Sequence, residues 1–400
     1  MRILFISTLN LATNPRFFKE IQLALDNGNE VEVICFEFDN WSHGFNQELK
    51  KRLEGARLNI IPAGRKPFLP WIISVCKEQF WRKLSHYLSL PIALQSKAVS
   101  RRSGLLVKLI KTLKGPYDLV IGHNPGALYP TWFAAQRFGA RAGFDVEDYH
   151  PGEGSNKKEQ AVTLFLMNAL LPKMDYVSFA APLIKERHIQ DCGKEGRNWF
   201  TILNFFPGTD FQKRAAPYSD GPLKLVWFSQ NINYKRGLEQ IIPVLDHYKD
   251  RIELSLVGNS KEAFAAEFLQ SRLHIKVIPP KDQKSLHQLI QEFDVGLAIE
   301  PGKDKNNFIA LANKLITYFQ AGLYILSSDT PAHIAFFKEH AAHGIATSLD
   351  KENIPAVLDK LLLQKNAIRE GYERRFAGSV QYNWETESKK LLHYWKNILS

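Results

Sequence analysis

Cysteine is scarce in these 400 residues: only Cys35, Cys76 and Cys192 occur, with no CxxC spacing. That excludes a disulfide framework and points to a reducing compartment. Long apolar runs are missing too; none approaches the roughly 20 residues that span a bilayer. The opening MRILFIS runs straight into a strand pattern, with one basic residue and no small-residue cleavage site, so a signal peptide is not expected. The chain reads as cytoplasmic, with a peripheral position on the inner face of the cell membrane left open. Acid is almost absent from one stretch. Between Arg65 and Lys114 eleven Lys and Arg stand against a single acid, Glu78, which places +10 of the net +11 in fifty residues. The remainder is close to neutral, so the basic excess has an address.

What is present is a globular composition, 45% hydrophobic and 23% charged, in a chain long enough for two ordinary domains. Short apolar strands alternate with helical patterns: Arg2–Ser7, Glu30–Phe36, Asp118–Gly122, Ala142–Val146, Tyr176–Ala180 and Phe200–Asn204 read as strands. After an aperiodic Pro/Gly/charge-rich stretch at 207–222, a second block follows with strands at Leu223–Phe228, Ile252–Val257, Ile275–Ile278, Val295–Ile299, Tyr324–Ser328 and Ile345–Thr347. Such alternation means parallel sheets covered on both faces. The expected fold is α/β: two doubly wound, Rossmann-like domains facing across a cleft. The first spans 1–206 with a basic amphipathic insert at 65–114, then a linker at 207–222 and a second domain at 223–380. A C-terminal helix within 381–400 is expected to pack back on the first domain.

The blocks LVWFSQNINYKRGLE, LSLVGN, FDVGLAIE and ALANKLITYFQAGLYILSSDTPAH, preceded by NPRFFKEIQLALDNGNEVEVICF, GHNPGAL, FDVEDYHPGE and ILNFFP, resemble in content and order the GT-B glycosyltransferases, in particular the retaining, family-four-like bacterial group of surface-polysaccharide and glycolipid assembly. The resemblance implies transfer of a sugar, with retention, from a nucleotide-sugar held by the second domain to a glycan or lipid-linked acceptor at the first. It implies no cofactor and no metal, since basic side chains and helix N-termini neutralise the leaving diphosphate. Two alternatives share the fold: a catalytically inactive glycan- or partner-binding protein, and a nucleotide-sugar epimerase.

The donor-side candidates are Lys235, Arg236 and Gly237 between a strand and a helix, where charge and helix dipole meet a developing anion. By resemblance Arg236 takes the phosphate-binding position before the glycine, while Asn231 stands where a second basic residue is frequent. Gly258 ends a strand and would let backbone approach a ligand. Glu300, a catalytic candidate, ends another strand; Asn313, read as an N-cap, Lys314 and Tyr318 follow it. The usual ribose-binding Glu position holds Thr317. On the acceptor side, His123 ends a strand and could act as a base, so it is the second catalytic candidate. Asp145, Glu147, Asp148 and His150 crowd the end of the next strand, where mutual repulsion would shift their titration. Arg16, in a first loop without the two glycines frequent in relatives, remains a candidate for an anion.

In the insert, Leu69, Ile73, Cys76, Phe80, Leu84 and Leu88 recur at helical spacing, flanked by Trp71, Trp81, Tyr87, Lys77, Arg82 and Lys83. A second stripe is Leu105, Leu106, Leu109, Ile110 and Leu113 with Lys108, Lys111 and Lys114. Basic amphipathic helices with aromatic residues suit an acidic membrane surface; equally, such stripes can pack on a sheet and leave their cations solvated. No nucleic-acid-binding module is recognisable, so a nucleic-acid partner is not expected.

Overall fold

The computed structural model describes residues 1–40, 42–65, 68–85, 87–214, 220–302 and 304–399. Lys66 of the basic stretch and 215–219 of the proposed linker lie outside the described residues. The chain divides into two compact units, Met1–Leu203 with Ser388–Ser400, and Asn204–Glu387.

The first unit is built on seven parallel strands: β1 (Arg2–Ser7), β2 (Glu30–Glu37), β3 (Ala56–Pro62), β4 (Leu119–His123), β5 (Arg141–Val146), β6 (Tyr176–Phe179) and β7 (Trp199–Thr201), in the order β3-β2-β1-β4-β5-β6-β7. Ile3, Leu4, Phe5 and Ile6 are all fully buried, so successive side chains on both faces of β1 are covered, as a parallel sheet requires. The chain runs outward from β1 to β3 and returns to β4. That reversal places the loops after β1 and β4 at the switch point where doubly wound sheets open a crevice. The helix Pro15–Asp26 starts there: Asn14 accepts a hydrogen bond from Phe17 N at 2.9 Å, and Pro15 stands at the first turn, where no N–H is needed. From the C-terminal helix Trp384–Leu399, Leu391 and Trp395 are fully buried. The Trp395 indole donates to the Tyr176 hydroxyl at 2.9 Å and packs edge-on to Phe5.

The second unit carries six parallel strands: β8 (Leu223–Ile232), β9 (Ile252–Ser260), β10 (Ile275–Ile278), β11 (Val295–Ala298), β12 (Tyr324–Ser328) and β13 (Gly344–Thr347), in the order β10-β9-β8-β11-β12-β13. Its switch point lies between β8 and β11. Residues 207–214, expected as the start of a linker, lie within the second unit and include a short 3-10 turn at Gly208–Asp210. Asp210 accepts from His287 Nδ1 at 3.0 Å and from Gln283 at 2.9 Å, and Phe211 is buried against the His287 ring.

The basic insert folds as helices Phe68–Leu84, Ile92–Val99 and Arg101–Ile110. Its first apolar stripe faces mostly outward and its second mostly inward, with Leu105 of the second 43% exposed. Leu106, Ile110 and Leu113 are buried, whereas Leu69, Ile73, Phe80 and Leu88 are 70%, 51%, 57% and 56% exposed. Polar groups take the inward side of the first helix: Arg82 pairs with Glu78 at 2.8 Å, and Glu78 also accepts from Arg101 N at 2.9 Å.

Candidate functional site

Each switch point carries one cluster. In the first unit Arg16 comes from the helix after β1, His123 from the end of β4, and Asp145 and Glu147 from the end of β5. Arg16 grips Asp145 bidentately, Nε to Oδ2 at 2.8 Å and Nη2 to Oδ1 at 2.5 Å, and donates Nη1 to the Ile202 carbonyl at 2.9 Å. Ser178 donates to Asp145 Oδ1 at 2.6 Å. His123 lies between Glu147, 3.0 Å from Nδ1, and Glu20, 3.2 Å from Nε2.

Burial and charge compete in this network. Burial opposes the Asp145 carboxylate, but Arg16 outweighs it and holds the group below its ordinary range. Burial likewise opposes a charged His123, yet Glu20, Glu147 and Asp145 push the imidazole up to about 10. Burial raises Glu20 against the pull of His123, and it lowers the neighbouring Lys19, aided by Arg16, to about 7.

The result corrects the reading of His123 as a base facing an acceptor. The ring is fully buried, both nitrogens are engaged by carboxylates, and as an imidazolium it has no lone pair to offer. Arg16 and Asp145 are also buried and spent on each other, so neither presents a free charge to a ligand. Glu147, whose side chain is 16% exposed, is the member that reaches solvent. His150 begins the next turn and pairs with Glu153 at 2.9 Å. Among the described residues, one group has metal-ligand spacing, Glu20, His123 and Asp145. It does not fit a cation well, because Arg16 already occupies both Asp145 oxygens and His123 is held protonated.

Glu20 and Ser178 escaped the sequence reading. Glu20 did leave a signal: it falls in the buried stripe Phe17, Ile21 and Ala24, where a carboxylate needs a partner.

In the second unit a cleft of about 140 Å³ opens at the switch point, lined by Trp227, Arg236, Glu300, Asn307 and Lys314 among others. Three sequence candidates therefore meet. Lys314 Nζ lies 3.5 Å from Glu300 Oε1 and 5.5 Å from the centre of the Trp227 ring. Glu300 N donates to Ser328 Oγ at 2.9 Å, which fixes the strand end that carries it. The turn before the helix Leu238–Leu245 is shaped by left-handed backbone at Lys235 (φ 62°) and Gly237 (φ 81°). A Cβ on Gly237 would lie 2.4 Å from Ile299 Cγ2, so glycine is what lets this turn close on β11 and bring Arg236 to the cleft. Glu239 accepts from Lys235 N and holds the turn. Lys235 itself is exposed and does not line the cleft.

Three donor-side readings are corrected. Gly258 has a positive φ of 150°, and a Cβ there would lie 2.0 Å from Ser229 O. Its glycine therefore serves the close approach of β8 and β9 at the bulge between Phe228 and Asn231. Tyr318 is fully buried, its hydroxyl donating to the Val226 carbonyl at 3.2 Å, so it is core and not a ligand contact. Asn313 is the first residue of its helix; the N-cap is Ala312, and Asn313 Oδ1 accepts from Asn204 at 2.9 Å. Trp227 and Asn307 complete the cleft and were not foreseen.

No protein-family model matches the chain, and comparison with curated proteins finds no match. Solved structures do match over essentially the whole chain. Alr3699/HepE of Anabaena, crystallised with UDP and glucose, is 14% identical, with 99% of this chain and 100% of that one covered at a TM-score of 0.67. A glycosyltransferase from Rickettsia africae ESF-5 is 15% identical, with 100% and 98% covered at 0.66. A UDP-forming α,α-trehalose-phosphate synthase from Burkholderia xenovorans is 11% identical, with 100% of both chains covered at 0.65. Two doubly wound parallel sheets of seven and six strands, with likeness to these proteins from end to end, make the fold GT-B.

Proposed function

We propose that the protein is a glycosyltransferase that moves a sugar from a nucleotide-sugar, with retention, to a glycan or lipid-linked acceptor. The observation that carries this reading is the switch-point cleft of the second unit, where Arg236 and Lys314 stand with Glu300. Arg236 makes no hydrogen bond or ion pair with any described residue, so its donors are available to a diphosphate. A leaving nucleoside diphosphate needs charge stabilisation as the glycosidic bond breaks, and two preplaced cations supply it without a metal ion. Glu300, held by Lys314, is set to accept from hydroxyls of the donor sugar. UDP and glucose in the Anabaena protein of the same fold support UDP-sugars as the first donors to try. On the acceptor side Glu147 is the solvent-reaching carboxylate that can accept from an acceptor hydroxyl. Replacing Arg236 by Ala should weaken nucleoside-diphosphate binding about 10- to 100-fold, the worth of a charge-assisted hydrogen bond. Unchanged affinity would defeat the assignment.

The same reading places the protein at the surface of an acidic membrane. No described helix is long and apolar enough to cross one. The helix Phe68–Leu84 instead turns Leu69, Ile73 and Phe80 to solvent, with exposed Lys77 and Lys83 flanking them. Lys108, Lys111 and Lys114 are exposed nearby in sequence. An outward apolar stripe bordered by cations is complementary to a bilayer with anionic headgroups, each cation adding about 1 kcal/mol. Sedimentation with phosphatidylglycerol-containing vesicles should capture the protein, less so at high salt, and Ile73→Glu/Phe80→Glu should abolish capture. Equal sedimentation of the variant would contradict it.

A further inference from the structure

Trp227 is an unusual lining for a charged cleft. Its side chain is 1% exposed, packed in the core of the second unit, and yet it borders the space occupied by Arg236, Lys314 and Glu300. Its Nε1–H is buried and has no acceptor. Buried indole N–H groups usually find a partner, as Trp395 does with Tyr176; Trp199 of the first unit is likewise unpartnered, and Trp227 differs from it in bordering a cleft that holds two cations. Phenylalanine would fill most of this core position without stranding a donor. Lys314 packs over the ring, so the indole is held in place from the cleft side. The strand supplies no cation at Asn231, which pairs instead in register with Asn259.

We propose that Trp227 is a ligand-binding residue whose Nε1–H donates to a phosphate oxygen of the bound nucleoside diphosphate, completing with Arg236 and Lys314 an anion site of two cations and one neutral donor. This rests on the donor reading given above. A neutral N–H adds direction without adding charge, and because it is covered in the unliganded protein, the Lys314 side chain that lies over the ring shifts to admit the phosphate oxygen. The same contact should form with inorganic pyrophosphate, since it is made to phosphate and not to base or sugar.

The test is a titration of indole-15N-labelled protein with UDP and, separately, with pyrophosphate, following the eight tryptophan side-chain signals. The Trp227 signal is assigned by Trp227→Phe or, if that variant does not fold, by elimination through the other seven. The expected result is a downfield proton shift of this signal with both ligands, and binding about tenfold weaker in folded Trp227→Phe. A Trp227 signal that stays put while calorimetry shows saturation overturns the proposal and leaves the donor assignment standing, provided Arg236→Ala still weakens binding. A shift with UDP but none with saturating pyrophosphate also overturns it, because the contact is then not to phosphate. If the wild-type protein binds no nucleoside diphosphate, both readings fall together.

Discussion

Asp145→Asn is the sharpest probe of the first unit. The carboxylate is fully buried and holds Arg16 through two hydrogen bonds, accepts from Ser178, and lies 3.7 Å from His123 Nδ1. Asparagine keeps the shape and one acceptor but removes the charge, which leaves a buried guanidinium without its counterion. Breaking such a pair costs roughly 3–5 kcal/mol. The lower end applies, because Glu20 and Glu147 still compensate part of the positive charge and His123 can release its proton. A loss of about 3 kcal/mol raises the opening equilibrium about a hundredfold. Amide hydrogen exchange in β4 and β5 should accelerate by that factor. Amides of β8 and β9, in the other unit, should keep their protection, since distant sites act independently. Arg16→Met added to Asp145→Asn should restore most of the loss, because removing both charges also removes the uncompensated one. Protection in β4 and β5 that changes less than about fivefold in the single variant would refute the account of a compensated charge network.

Acid should weaken both units before any carboxylate pair is lost. Burial pushes His188 in the first unit and His343 in the second down to about 4. Between pH 6.5 and 4 the unfolded chain therefore binds protons that the folded chain refuses, and stability falls as pH falls. Urea midpoints should drop across this window, and His188→Phe should flatten the fall; a flat profile in the wild type would contradict the burial argument. Gly258→Ala should cost the second unit about 2 kcal/mol or more, through the Cβ driven onto Ser229 O. Thermal denaturation checks this, and a wild-type melting temperature would show that β8 and β9 can separate there.

The alternation of strands and helices was legible because parallel strands covered on both faces are apolar at most of their positions. The strand missed in the first block, β3, lies at the sheet edge, only half-buried, with Arg57 and Asn59 in its run, and so carries no such signature. In the insert, helical spacing found both stripes but could not tell inward from outward. Leu106 and Ile110 meet the fold, while Ile73 and Phe80 do not. At the sites, ionisable residues at strand ends were found readily, but exposure was not. His123 and Tyr318 look like ligand groups until their partners, Glu20 on a distant helix and the Val226 carbonyl, are placed beside them. Trp227 reads as a core aromatic, and only its stranded N–H beside Arg236 and Lys314 makes it more.

The proposed role of the second unit is to hold a nucleotide-sugar by its diphosphate. Calorimetric titration with UDP, GDP, ADP and dTDP, on the wild-type chain and on Arg236→Ala, tests it most directly. At least one nucleotide should bind the wild type in the absence of metal, and bind Arg236→Ala about 10- to 100-fold more weakly. No binding by any of the four, or equal binding by both proteins, would contradict it.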